Sequence, residues 1–180
     1  MKKKTIIYFI FCLAFIHAGQ ISLSISENLI NEYLKTIGEY KTSKKKGNDS
    51  KWIIQEPHVE FNNNEALFFA KVIYKKDLII IKKDIKLILK IKYNIKKNTL
   101  NLIFDNSIIK MERRGVFLDS IDLKNIYEPK LIFNGPNLKN NNFKINLNNK
   151  RKISIRPDFA EIFIENDKIE LILTISFEEK

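Results

Sequence analysis

Residues 84–96 read D-I-K-L-I-L-K-I-K-Y-N-I-K. In extended chain this places Ile85, Leu87, Leu89, Ile91, Tyr93 and Ile95 on one face, and Lys86, Lys90, Lys92, Asn94 and Lys96 on the other. Only a side-chain period of two sorts them this way, because a helix would scatter the lysines around its circumference. The stretch is therefore a half-buried strand. After a turn at Lys97-Asn98, residues Leu100, Leu102, Phe104 and Ile108 continue the apolar face of a returning strand. Strands usually run to about 5–6 residues, so a hairpin this long presents a wide apolar sheet face that protein or ligand must cover.

The same period governs most of the chain after Trp52. The segment 52–61 is extended and interrupted by Pro57, which suits an edge or a bulge. Asn62-Asn63-Asn64 marks a turn, and 66–74 is apolar on both faces, with Phe68, Ala70, Val72 and Tyr74 on one and Leu67, Phe69 and Ile73 on the other. Such a strand is covered twice. Residues 78–81 form a short apolar run into the long hairpin. Near the end, Ile169, Leu171, Leu173, Ile175 and Phe177 alternate with polar neighbours after a turn at Asn166-Asp167. Between 113 and 152 the pattern weakens, with Gly115, Pro129, Gly135 and Pro136 as punctuation, and a long excursion with short elements is expected.

One stretch departs from the strand period. Leu29, Ile30, Tyr33, Leu34, Ile37 and Tyr40 recur at steps of three and four, which predicts an amphipathic helix over 26–40. Ser24 and Glu27 have the spacing of a capping box at its start. The polar run 41–50 then reads as an exposed loop. This helix is one candidate cover for the sheet.

The N-terminus stands apart. Lys2, Lys3 and Lys4 precede an apolar core at 5–16 that is short for a membrane span, and His17-Ala18-Gly19-Gln20 offers small residues for cleavage. Residues 1–19 are thus expected to be a signal peptide, with 20–180 a single domain, periplasmic or secreted after cleavage. An uncleaved membrane anchor is the alternative. Lipoprotein processing at Cys12 fits poorly, because Phe11 stands where a small residue is needed. Removing the segment takes away the only cysteine and lowers the net charge from +11 to +8. The mature chain must then stand on its core without disulfides.

Composition points away from an enzyme. The mature chain holds one histidine, His58, and no cysteine, which removes Cys/His metal sites and Cys/His nucleophile pairs. No G-x-S-x-G elbow or glycine-rich phosphate loop occurs among five glycines. No cofactor or metal is expected. Lys82, Lys83, Lys86, Lys90, Lys92, Lys96 and Lys97 form either a solvated face that discourages edge-to-edge pairing or a surface for anionic lipid head groups. Aromatic residues are not interleaved with them as base stacking needs, so nucleic acid is not an expected partner.

A short strand leading into a capped amphipathic helix (L-S-I-S-E-N-L-I-N-E-Y-L, 23–34), a long antiparallel meander, and I-S-I-R-P at 153–157 before a closing hairpin resemble the small bacterial periplasmic members of the tubular lipid-binding (TULIP, BPI-like) superfamily. The second long helix that such relatives often carry has no counterpart at 115–150. The resemblance implies an α+β fold, a highly twisted antiparallel sheet wrapped around one N-terminal amphipathic helix. It further implies a non-enzymatic exported protein with an apolar groove for a lipid or other hydrophobic small molecule. The expected ligand-binding residues are Leu29, Ile30, Tyr33, Leu34 and Ile37 on the helix, with Leu87, Leu89, Ile91, Leu102, Phe104, Leu171 and Leu173 on the sheet. The alternative is an envelope protein-interaction or structural module with a sealed core and a protein partner in the envelope.

Overall fold

The computed structural model describes residues 19–44, 49–136 and 153–179, so the expected signal segment at 1–18 lies outside the described residues. In chain order the elements are β1 (Gly19–Ser26), α1 (Glu27–Ile37), β2 (Tyr40–Lys44), β3 (Ser50–Asn62), β4 (Glu65–Lys76), β5 (Ile79–Asn94), β6 (Thr99–Phe104), β7 (Ile108–Arg113), β8 (Val116–Asp122), α2 (Lys124–Tyr127), a single 3-10 turn (Glu128–Lys130), β9 (Ile132–Asn134), β10 (Ile153–Glu165) and β11 (Lys168–Glu179). The chain divides into two compact units. The larger comprises Leu23–Gly135 and Ile162–Leu171; the described part of the smaller comprises 19–22, 136, 153–161 and 172–179.

The larger unit is built on a six-stranded antiparallel sheet of order β2-β3-β4-β5-β6-β9. Its register puts Ala66, Phe68 and Ala70 opposite Leu89, Leu87 and Ile85, and then Leu89, Ile91 and Tyr93 opposite Phe104, Leu102 and Leu100. Large and small apolar side chains thus alternate across one face, as interdigitation in a close-packed core requires. The sheet is strongly curled. Laid flat, six strands at about 4.8 Å spacing would hold β2 and β9 roughly 24 Å apart. Yet Lys130, just ahead of β9, places its ammonium 5.9 Å from the centre of the Tyr40 ring on β2. The curl encloses Trp52, Ile54, Phe61, Phe68, Tyr74, Leu100 and Leu102, all buried.

Pro57 makes the bulge that its lack of an N–H demands. Pairing between β3 and β4 slips between Gln55 and His58, and Glu56 sits at φ 52°. Before the bulge β3 pairs with β2 on its free side; after it, α1 takes over. The β7–β8 hairpin forms its own two-stranded sheet. It turns Ile109 and Met111 inward and leaves Ile108 exposed, one residue out of step with the face predicted from Leu100, Leu102 and Phe104. The reason is the break at Asn106-Ser107, where the Asn106 side chain accepts from the Ile108 N–H and ends the β6 period.

The three-stranded sheet, order β1-β11-β10, has residues in both units. In the smaller unit Leu173 and Ile175 are buried and Phe159 is exposed. In the larger unit Ile169 and Leu171 are fully buried. Among the described residues no helix is long and apolar enough to cross a membrane.

Candidate functional site

Helix α1 is capped by a side chain at its start and by a backbone hydrogen bond at its end. Ser26, extended at φ −74° and ψ 147°, accepts the Leu29 N–H and is the N-cap, in place of the predicted Ser24. At the other end the helix stops at Ile37, three residues before the predicted limit. Gly38 adopts φ 69° there and its N–H closes on the Leu34 carbonyl, so Tyr40 begins a strand.

Successive residues on a helix are separated by about 100°, and this spacing resolves α1 into three strips. The middle strip, Ile30, Leu34 and Ile37, packs on the core, with Ile30 and Leu34 fully buried. To one side lie Glu27 and Asn31, which serve the free edge of β3. The Phe61 N–H donates to Glu27 Oε2 at 2.7 Å; the Val59 N–H donates to Asn31 Oδ1 at 2.7 Å, and Asn31 Nδ2 donates back to the Val59 carbonyl at 2.9 Å. On the other side are Leu29 and Tyr33. These were expected to share the inward face, but Leu29 is 59% exposed and Tyr33 41% exposed. The polar docking on β3 rotates them away from the core. Tyr33 instead meets Phe133 of β9 edge-on, with ring centroids 6.4 Å apart. Ile132, the preceding residue on the other face of β9, is half exposed.

The expected binding residues therefore separate by environment. Ile30, Leu34, Leu89, Leu102 and Phe104 lie within one cluster of buried side chains, and Ile37, Leu87 and Ile91 pack against it partly buried. Leu171 is buried in the larger unit and Leu173 in the smaller. Only Leu29 and Tyr33 combine substantial exposure with apolar character. A groove of about 330 Å³ near the end of α1 is lined by Lys35, Gly38, Glu39, Gln55, Glu56 and Pro57, none of them an expected ligand residue.

The core has a cover that the alternation of strands gives no hint of. Leu123, Ile126, Tyr127 and Leu131 are all buried, and the Tyr127 ring lies 5.1 Å from Phe68, itself 5.1 Å from Phe104. Their spacing, 123, 126, 127 and 131, is helical, but the α-helix that carries it is only four residues long. The plug is anchored by hydrogen bonds: Asp122 Oδ1 accepts the Lys124 N–H, and Glu128 Oε1 accepts the Phe104 N–H at 3.0 Å. Burial, with the neighbouring Tyr40 adding a smaller effect, pushes the Tyr127 phenol up to about 12. A second polar knot sits at the start of β3, where Ser50 Oγ and Trp52 Nε1 both donate to Asp119 Oδ2 of β8, at 2.9 and 3.0 Å.

On the outer face of the sheet His58 stacks on Phe69 at 5.2 Å, and Lys86 lies over the same ring. Lys71 pairs with Glu56, which raises its affinity for the proton. These are cross-strand contacts of a solvated sheet face. No cluster of three or more His, Cys, Asp or Glu side chains that could hold a metal occurs among the described residues. No family model, curated protein or solved structure matches the chain.

Proposed function

We propose that this is an exported, non-enzymatic binding protein that takes an apolar ligand, in the simplest case an acyl chain, along the seam between α1 and β9. The observation that carries the proposal is the Tyr33–Phe133 pair. Tyr33 stays 41% exposed next to Leu29, on a helix whose neighbouring residues Ile30 and Leu34 are fully buried, while Phe133 packs partly buried against the core. An apolar strip this close to a curled sheet gains about 0.8 kcal/mol for each ligand methylene it shields from water. On this reading α1 closes the curled sheet along the β3 edge, and the ligand lies at the rim of the core and not inside it. Export rests on the basic and apolar run at the N-terminus.

Native mass spectrometry and organic extraction of the purified protein test this. Co-purifying lipid, lost on Tyr33→Lys with the fold intact, is the expected result. Repeated preparations without lipid, together with no saturable uptake of a fluorescent fatty acid, refute it.

A second reading is a protein-interaction module with a sealed core in the envelope. It is favoured by the plug of Leu123, Ile126, Tyr127 and Leu131, which fills with the chain's own side chains the space a buried ligand would take. On that reading Leu29 and Tyr33 are the contact residues for a protein partner, and the extraction yields nothing.

A further inference from the structure

We propose that the paired tips of the β4–β5 and β7–β8 hairpins form a docking surface for an anionic lipid bilayer. Both tips are two-residue turns: Lys76 pairs with Ile79 around Asp77-Leu78, and Arg113 pairs with Val116 around Arg114-Gly115. Asp77, Arg114 and Gly115 take φ of 50°, 50° and 78°. Polar residues and glycine satisfy such turns without help. Leu78 is nonetheless 100% exposed, and Ile80, Val116 and Phe117 are each more than half exposed. None of these four belongs to the core, and each leaves most of its side chain to water unless a partner covers it.

The two tips stand together, because residues 78–81 and 112–114 line one open groove of about 350 Å³. Their flanks are basic. Across 75–83 and 110–117 the chain carries Lys75, Lys76, Lys82, Lys83, Lys110, Arg113 and Arg114 against two carboxylates, Asp77 and Glu112. Large apolar side chains projecting from narrow turns, with cations set behind them, match the interface of a bilayer whose head groups are negative. A protein partner would instead want a broad face with its apolar residues at the centre and charges at the rim. This surface is separate from the α1–β9 seam and does not depend on what the seam binds.

The test is a tryptophan placed at the tip of the full chain, Leu78→Trp. The only native tryptophan, Trp52, is fully buried and supplies a constant background from the unsubstituted protein. With vesicles of equal parts phosphatidylcholine and phosphatidylglycerol, the added emission should shift to the blue and be quenched by brominated acyl chains. With phosphatidylcholine alone it should do neither. Adding Ile80→Ser, Val116→Ser and Phe117→Ser should together weaken partitioning by about tenfold or more, tenfold being about 1.4 kcal/mol for the three changes combined. Raising salt should also weaken it, because screening over about 8 Å at physiological ionic strength acts on the basic flanks. An Ile95→Trp control, just past the opposite end of β5, should show no shift. The proposal is overturned if Leu78→Trp stays unshifted with anionic vesicles. An equal shift at Ile95→Trp, or an equal response to neutral lipid, overturns it as well.

Discussion

The Asn31 side-chain amide pairs with both backbone groups of Val59, donating to its carbonyl and accepting from its N–H, as a neighbouring strand residue would. This happens where β2 has ended and β3 would otherwise expose an unpaired edge, which is both costly when partly buried and a template for aggregation. One asparagine therefore fixes the orientation of α1 and closes the sheet. Asn31→Ala leaves a partly buried donor and acceptor unmatched, each costing about 1–3 kcal/mol. A loss of about 2–6 kcal/mol in urea unfolding is expected. Asn31→Asp should recover only part of it, since the carboxylate accepts from the Val59 N–H but faces the Val59 carbonyl with no donor.

Asp119 joins β8 to the start of β3 by accepting from both Ser50 and Trp52. Ser50 is fully buried and so is the Trp52 ring, so Asp119→Ala strands two donors that water does not reach. Trp52 emission should report the change, with reduced stability of about 2–3 kcal/mol. A Ser50→Ala change removes one donor and leaves the indole bond, and should cost about half as much.

Tyr127 makes stability sensitive to alkali. Its phenol titrates at about 12 in the folded protein, against 10.0 for an ordinary tyrosine. Between those values the unfolded chain has given up a proton that the folded chain keeps, so stability falls as pH rises from about 10 to about 12. Burial shifts Tyr74 and Tyr93 in the same direction. Phenolate absorbance in the folded state should therefore lag behind that of the urea-unfolded chain. The Tyr127 hydroxyl has no hydrogen-bond partner among the described residues, so Tyr127→Phe should flatten the alkaline loss and leave neutral stability unchanged or raised by about 1 kcal/mol.

The antiparallel sheet is legible because alternation at 85–95 and 100–104 leaves one arrangement that buries its apolar half. The bulge is legible too, since Pro57 has no N–H to give. What alternation does not carry is which strip of α1 faces inward. Leu29 and Tyr33 are as apolar as Ile30 and Leu34; the choice is made by Glu27 and Asn31, whose partners at Phe61 and Val59 are about thirty residues away. The plug at 123–131 escapes for a different reason. Its α-helix is four residues long, too short for a hydrophobic period to stand out from the Pro129, Gly135 and Asn-rich surroundings. The exposed Leu78 sits in a turn whose patterning is ordinary, and only the fold shows that residues 78–81 and 112–114 line one groove.

The seam and the core make opposite demands on the same helix, and lysine substitutions separate them. Ile30 and Leu34 are fully buried, so Ile30→Lys forces an ammonium into the cluster around Phe68 and Leu102 or expels the helix. A loss of stability of several kcal/mol is expected, since an unpaired buried charge is among the most damaging changes a core can receive. Leu89→Lys should behave the same way, and loss of ligand binding in either variant would report unfolding and not the site. Tyr33→Lys and Leu29→Lys act where the side chain already meets water, so thermal unfolding should change little, within about 0.5 kcal/mol. If an acyl chain lies along the Tyr33–Phe133 seam, these two variants lose probe uptake while keeping the circular dichroism of the parent. If uptake survives both and disappears only with Ile30→Lys or Leu89→Lys, the seam does not hold the ligand.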